Sequence, residues 1–231
     1  MNYDNIGRDG NLTSSAIQEA LAAMANGTPL VVVDGEDREN EGDLIVAAEH
    51  ATPETIAFMV RWTSGLLCVA LPAERTSELQ LPLMVEENTD SMRTAFTVSV
   101  DLREGITTGI SASERAATIR ALVDPSRQAC DFSRPGHIFP LRAVREGILE
   151  RPGHTEAGVD LARLAGLRPG AVLAEIVNDD GSMARRPQLE HFARLHGLPL
   201  ITIDDLVRFR LELEILDFPR DTSRRPDSVA A

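Results

Sequence analysis

The stretch Pro29–Glu49, "PLVVVDGEDRENEGDLIVAAE", decides the fold. Leu30–Val33 and Leu44–Ala48 are apolar enough to be buried strands, and only a short loop joins them. That spacing predicts a hairpin-like or bent pair inside a mixed sheet rather than a strict β-α-β rhythm. The loop carries Asp34, Glu36, Asp37, Glu39, Glu41 and Asp43, with Arg38 as its one cation. Like charges at the end of a core strand repel unless something positive sits among them. An EF-hand does not explain the run. With Asp37 at loop position one, Ala48 falls at position twelve, and the flanks are strands.

Outward from this stretch, helices and strands interleave. Ser15-x-x-Gln18 reads as a capping box opening a helix, with Ile17, Ala20, Leu21 and Met24 on one face and Gly27 closing it. Thr52-Pro53-Glu54 starts a second helix, which runs to about Trp62, and Leu66–Leu71 is a strand. Residues 72–93 read as mixed and loop-rich. "TAFTVSVD" alternates Phe96, Val98 and Val100 against Thr97, Ser99 and Asp101, as a half-buried strand would. Ser111-x-x-Glu114 caps a helix reaching about Val123, and residues 124–136 read as loop.

Ile138–Ala143 is a short strand, and Pro140 inside it predicts an edge or a bend. A helix lies within Gly153–Leu167, a strand at Val172–Val177, a helix near Gln188–His196 and a last strand at Leu200–Ile203. Asp204 or Asp205 is the expected cap of the final helix. The expectation is one α+β domain over residues 1–216, a mixed sheet surrounded by helices, with a loose polar tail over 217–231.

Bulk properties narrow the chemistry. The chain has 231 residues and a formal net charge of −13, so a grip on nucleic acid or an anionic membrane is not expected. All 23 basic residues are arginine, which excludes lysine Schiff-base chemistry. Cys68 and Cys130 form no metal or disulfide motif. No leader-like start and no membrane-length apolar run is seen, so a cytoplasmic protein is expected.

Five segments could carry chemistry. The acidic loop, bracketed by Gly35 and Gly42, suits a hard divalent cation, although a solvated hairpin tip is the plainer reading. Arg151-Pro152-Gly153-His154-Thr155 at a helix start suits a phosphate, although Thr155 could simply cap the helix and His154 could be an exposed loop residue. His137, where a loop meets a strand, could serve as an acid or base or be structural. Glu175 interrupts an apolar strand, as a carboxylate with a partner or as a solvent-facing edge residue. Thr107, Thr108, Gly109 and Ser111 form a small polar loop that could line a ligand hydroxyl. Dinucleotide, P-loop, nucleophile-elbow and zincin motifs are absent. The remainder suggests metal-assisted proton transfer on a small phosphorylated sugar.

Taken in order, "VVDGEDRENEGDLIVAAE", "TAFTVSVD", "TTGISASERAATI", "RPGHIFPLRA", "RPGHTEAGVDLARLAGLRPGAVLAEIVNDDG" and "ITIDDL" resemble the 3,4-dihydroxy-2-butanone 4-phosphate synthases of riboflavin biosynthesis. The resemblance runs from about Ser14 to Arg210. It implies a lyase that converts D-ribulose 5-phosphate to L-3,4-dihydroxy-2-butanone 4-phosphate and formate with Mg²⁺ (or Mn²⁺). It also implies a homodimer with active sites near the subunit interface.

Carried over by motif, Glu39 and His154 match the metal ligands. Arg38, Glu39, Asp43, Thr108 and Glu175 match substrate contacts, as do Arg151, Pro152, Gly153, His154 and Thr155 around the phosphate. His137, Glu175 and Glu41 match positions given to catalysis and proton transfer. One position departs: the family usually has Asp where this chain has Gly35. Many relatives carry a second, zinc-binding cyclohydrolase unit, and no cysteine-rich motif for it is present here. A non-catalytic metabolite-binding module and an RNA-binding relative are the competing readings, and the acidic charge weighs against the second.

Overall fold

The computed structural model describes residues 6–217. In chain order these form α1 (Ile6–Ala25), β1 (Leu30–Val33), β2 (Gly42–Ala47), α2 (Pro53–Trp62), β3 (Cys68–Pro72), α3 (Ala73–Glu78) and β4 (Val100–Leu102). Then come α4 (Ala112–Val123), β5 (Phe132–Ala143), α5 (His154–Leu164), β6 (Ala171–Glu175), α6 (Arg186–His196), β7 (Leu200–Thr202) and α7 (Ile203–Asp217). One seven-stranded sheet has the order β4-β5-β3-β6-β2-β1-β7. It is mixed: β1–β7 and β3–β5 run parallel, and β1–β2, β2–β6, β3–β6 and β4–β5 antiparallel.

Strand parity explains the layers. Successive side chains leave a strand on opposite faces. Val31, Val33, Leu44, Val46, Val69 and Val172 enter one core. Leu30, Val32, Ile45, Ala47, Cys68 and Leu173 enter the other. Both faces are covered, so the central strands read as unbroken apolar runs rather than alternating ones. Each fully buried Val, Leu or Ile here contributes about 1.5–3 kcal/mol relative to exposure. Helix α5 lies on the second face at close range. An added Cβ at Gly158 would sit 3.0 Å from the Ala171 Cβ, so glycine is what lets the helix approach.

The mixed sheet and the β1–β2 hairpin agree with the sequence reading. Several local expectations do not. Helix α1 already begins at Ile6, so Ser15 lies inside it rather than capping it, while Ile17, Ala20 and Met24 are buried as expected. The mixed, loop-rich 72–93 stretch opens with a short helix at Ala73–Glu78 that the sequence did not single out. β5 starts at Phe132 and is an interior strand between β4 and β3, not an edge. Pro140 is tolerated there because β4 pairs only with the earlier part of β5. Its carbonyl is still used, by the Thr97 N–H at 2.9 Å and the Thr97 hydroxyl at 2.9 Å. Those bonds account for the full burial of Thr97, against the alternation expected of "TAFTVSVD". The start of α7 is capped by the Thr202 hydroxyl, which accepts from Asp205 N at 3.0 Å, rather than by Asp204 or Asp205. The expected tail falls almost wholly outside the described residues. Among those residues no helix is long and apolar enough to cross a membrane.

Candidate active site

Parity also places the first acid of the site. Asp43 stands one residue before Leu44 in β2, so it shares the α5-covered face with Ile45. In register it faces Glu175, the last residue of β6. The N-terminus of α5 overhangs this corner, with His154 as its first residue and Gly153 as its cap. Arg38, Glu39, Glu41, Asp43, Arg151, His154, Thr155 and Glu175 thereby line one cavity of roughly 100 Å³, with Cys68, Thr94 and Phe96.

The acidic loop organises itself around Asp34. Its carboxylate accepts the N–H groups of Glu41 at 2.8 Å and Glu39 at 3.0 Å, and it pairs with Arg38 at 2.9 Å. Arg38 also donates to Glu39. From outside, Arg185 donates to the Glu39 carbonyl at 3.0 Å and to the Asn40 carbonyl, latching the far side of the loop. Asp34 and Arg185 were not singled out in the sequence. An Asp at the exit of a core strand, where it can turn back onto later N–H groups, was the available signal for the first.

His154 is 5% exposed, a buried residue rather than the loop histidine of the plainer reading. Its Nε2–H donates to the Val32 carbonyl at 3.1 Å, which leaves Nδ1 facing Glu39 Oε2 at 3.6 Å. One atom each from Asp34, Glu39 and His154 lies within 4.8 Å of the others, a spread that one cation can bridge. A ring nitrogen tied to a backbone carbonyl with its partner nitrogen free is the usual supporting arrangement for a metal-binding histidine. The donor set therefore fits a divalent ion. Of the three, Asp34 is already committed to the loop's own N–H groups.

Electrostatics follow from this enclosure. The polar contact with His154, opposed by burial and helped by Arg38, holds the Glu39 carboxyl at about 2. Burial alone would favour a neutral His154, but the Asp43, Glu39 and Asp34 carboxylates around it raise it to about 9. Burial pushes Asp43 up to about 7, against the pull of His154. Burial and the neighbouring Glu39 also raise Glu41. Arg38 and a protonated His154 thus balance the acids, and the plain solvated-tip reading of the run fails.

Glu175 is half-buried and accepts from the Ser64 hydroxyl at 2.6 Å, so it is a partnered carboxylate and not a free edge residue. Thr155 does not cap α5: the cap position is Gly153, with no side-chain cap bond. The first residues of α5, His154 and Thr155, line the cavity, and no side chain caps the helix start there.

Two expected residues stand apart. His137 is on β5 and Thr108 is at an exposed loop, and neither lines the cavity. Leu141, on the same strand as His137, does line it. Four residues of strand separate the two by about 13 Å. His137 instead pairs with Asp101, which is 8% exposed: the His137 N–H and the ring Nδ1 lie 2.9 and 2.7 Å from the two carboxylate oxygens. Gly109, next to Thr108, packs so close that an added Cβ would lie 2.8 Å from His137 Nδ1. The turn through Thr108 and Gly109 therefore approaches His137 outside the cavity lining.

At Gly35 the backbone does not demand glycine, since its φ is not positive. A side chain there would meet the carboxylate of Asp37.

Residues 18–209 match the family model described as 3,4-dihydroxy-2-butanone 4-phosphate synthase. The chain is 57% identical over 198 residues to the 3,4-dihydroxy-2-butanone 4-phosphate synthase of Agrobacterium fabrum, covering 86% of this chain and 93% of that one. It is 59% identical over 201 residues to the riboflavin biosynthesis protein RibBA of Rhodococcus jostii; this covers 86% of the chain but only 48% of that longer protein. A crystal structure of a 3,4-dihydroxy-2-butanone 4-phosphate synthase in complex with two magnesium ions superposes with a TM-score of 0.84 at 49% identity, over 86% of this chain and 97% of that one. A cation-free form gives 0.81 at 48% identity, over 86% and 98%.

Proposed function

The chain belongs to the 3,4-dihydroxy-2-butanone 4-phosphate synthase family, and from that premise we propose that the Glu39–His154 cavity converts D-ribulose 5-phosphate to L-3,4-dihydroxy-2-butanone 4-phosphate and formate. Membership carries the synthase activity, a lyase step of riboflavin biosynthesis, and a divalent cation requirement. The observation that supports the placing of the chemistry is the 3.6 Å approach of Glu39 Oε2 to His154 Nδ1, beside Arg151 and the open start of α5.

Glu39 and His154 would hold Mg²⁺ or Mn²⁺. When bound there, the ion supplies Lewis-acid stabilisation of charge developing on the ketose oxygens. Arg151, Pro152, Gly153 and Thr155 seat the phosphate, which fixes one end of the sugar and so orients the reacting carbons. Arg38 and Asp43 contact the hydroxyls. The reaction needs several successive proton transfers: enolisation, dehydration, a skeletal shift and elimination of C4. Glu41 and Glu175 hold and move protons within the cavity, and the raised value of Glu41 suits that role.

His137 completes the machinery from a second copy of the chain. Asp101 accepts at Nδ1 and so leaves Nε2 directed outward. An exposed dyad outside the lining of its own cavity supports a homodimer in which each subunit's dyad meets its partner's cavity. The domain spans residues 1–216, and we place the enzyme in the cytoplasm. The direct test is formate release from D-ribulose 5-phosphate with Mg²⁺. Turnover that is lost on chelation and absent in Glu39→Gln supports the reading; turnover that survives both contradicts it.

A further inference from the structure

Helix α5 carries two buried carboxylates one turn apart, Glu156 and Asp160, and neither lines the cavity. Both hold the segment that leads to Arg151. Glu156, 1% exposed, accepts from Val144 N at 3.2 Å through Oε1 and from Arg151 Nη1 at 2.7 Å through Oε2. Asp160 accepts from Ile148 N at 3.1 Å and from Arg210 of α7 at 2.6 Å. Arg151 has two further supports from its Nη2, to the Met92 carbonyl at 3.0 Å and, more loosely, to the Thr94 hydroxyl at 3.5 Å.

The three groups converge at the glycine that caps α5. An added Cβ at Gly153 would lie 2.5 Å from Arg151 Nη1, 2.9 Å from Arg38 Nη2 and 3.1 Å from Glu156 Oε2. A guanidinium has five N–H donors in a planar fork. Glu156 takes a donor from Nη1, and Met92 and Thr94 take those of Nη2, so the fork is fixed beside the Gly153 that caps α5. An arginine free in solution carries about 2 kcal/mol of rotamer entropy that binding must remove; a buried carboxylate removes it beforehand.

We propose that Glu156 is a positioning residue for the substrate phosphate: it sets the Arg151 guanidinium at the start of α5 without touching substrate. The inference rests on Arg151 as the phosphate arm. Asp160 serves the same segment as a structural staple, so the two acids separate the roles.

The test is steady-state kinetics with saturating Mg²⁺ on the full chain, with inhibition by inorganic phosphate as a second readout. Glu156→Gln keeps the volume but cannot accept from both Val144 and Arg151 through oxygen. It should raise KM and the phosphate Ki together by about tenfold, with kcat changed less than about twofold. In an Arg151→Ala background the same substitution should add nothing to KM. Asp160→Asn should lower Tm without that split. Should Glu156→Gln fail to fold, Glu156→Asp, one methylene shorter, takes its place in the same cycle. An unchanged KM and Ki in the Glu156 variant, while Arg151→Ala raises both, overturns the inference, as does an undiminished Glu156 effect in the Arg151→Ala background. An unchanged KM in Arg151→Ala alone overturns the phosphate reading beneath it.

Discussion

Glu39 faces a histidine, His154, that is 5% exposed and ringed by acids; Asp101 faces a histidine, His137, whose side chain is 41% exposed. In the first pair the distance is 3.6 Å and the near ring nitrogen is left open; in the second it is 2.7 Å and that nitrogen is bound. The first is built to receive something between its members. The second is built to aim the far side of a ring outward. An acid beside a histidine therefore says little by itself, and the separation and enclosure decide which role it serves.

The largest expected effect breaks the first region alone. Glu39→Gln should reduce turnover by about 10³-fold or more and lower Tm only modestly, because Glu39 is half enclosed and the charge it loses pairs with Arg38 and His154. Full activity would remove Glu39 from the ligand set. His137→Ala should cost about 10²–10⁴-fold in kcat yet leave the Mn²⁺ dissociation constant unchanged, which titration calorimetry reads directly. A shift in metal affinity would merge the two regions and spoil the comparison.

Mixing the two inactive variants sharpens it. If each dyad serves its partner's cavity, half of randomly mixed dimers pair the two variants, and each of those holds one intact site. About a quarter of wild-type activity should return on mixing. No recovery after verified subunit exchange would place both regions in one subunit's site.

pH separates the two regions further. His154, raised to about 9, carries a proton at neutral pH in the metal-free protein, and a metal must displace it. Apparent Mg²⁺ affinity should rise with pH, by about tenfold per unit between 7 and 9, with protons released to buffer. The same raised value stabilises the metal-free fold below the ordinary histidine value, and that increment fades as pH climbs through about 9. Glu39 acts oppositely: its lowered value stabilises above the ordinary carboxyl range and fades as pH falls toward about 2. A pH-independent affinity would count against His154 as a ligand. The smallest effect is at Gly35. Gly35→Asp should be neutral or modestly activating, since no positive φ opposes it and the exposed Asp37 carboxylate it would meet can swing away. A large loss in kcat would give the glycine a role of its own.

The two regions were also unequally legible in the sequence. The hairpin around the acidic loop could be read because β1 and β2 are local, apolar and joined by a short turn. The helix start after Arg151 could be read because a glycine followed by a run of good helix formers is a local signature. Much else depends on pairings between distant segments. β5 is interior despite Pro140 because β4 pairs only with its earlier part, and no local pattern announces that. Ser15 mimics a helix start inside a helix that begins earlier. Asp34, Ser64, Arg185 and Glu156 gain their roles only from the groups they meet in space. His137 was legible as a residue type, but its distance from the cavity was not.

The most direct measurement is a crystal of this protein grown with Mn²⁺, read by anomalous diffraction. A peak about 2.1 Å from both Glu39 Oε2 and His154 Nδ1 is the expected result. A peak seated elsewhere, with those two atoms still facing each other unbridged, would contradict the account at its root.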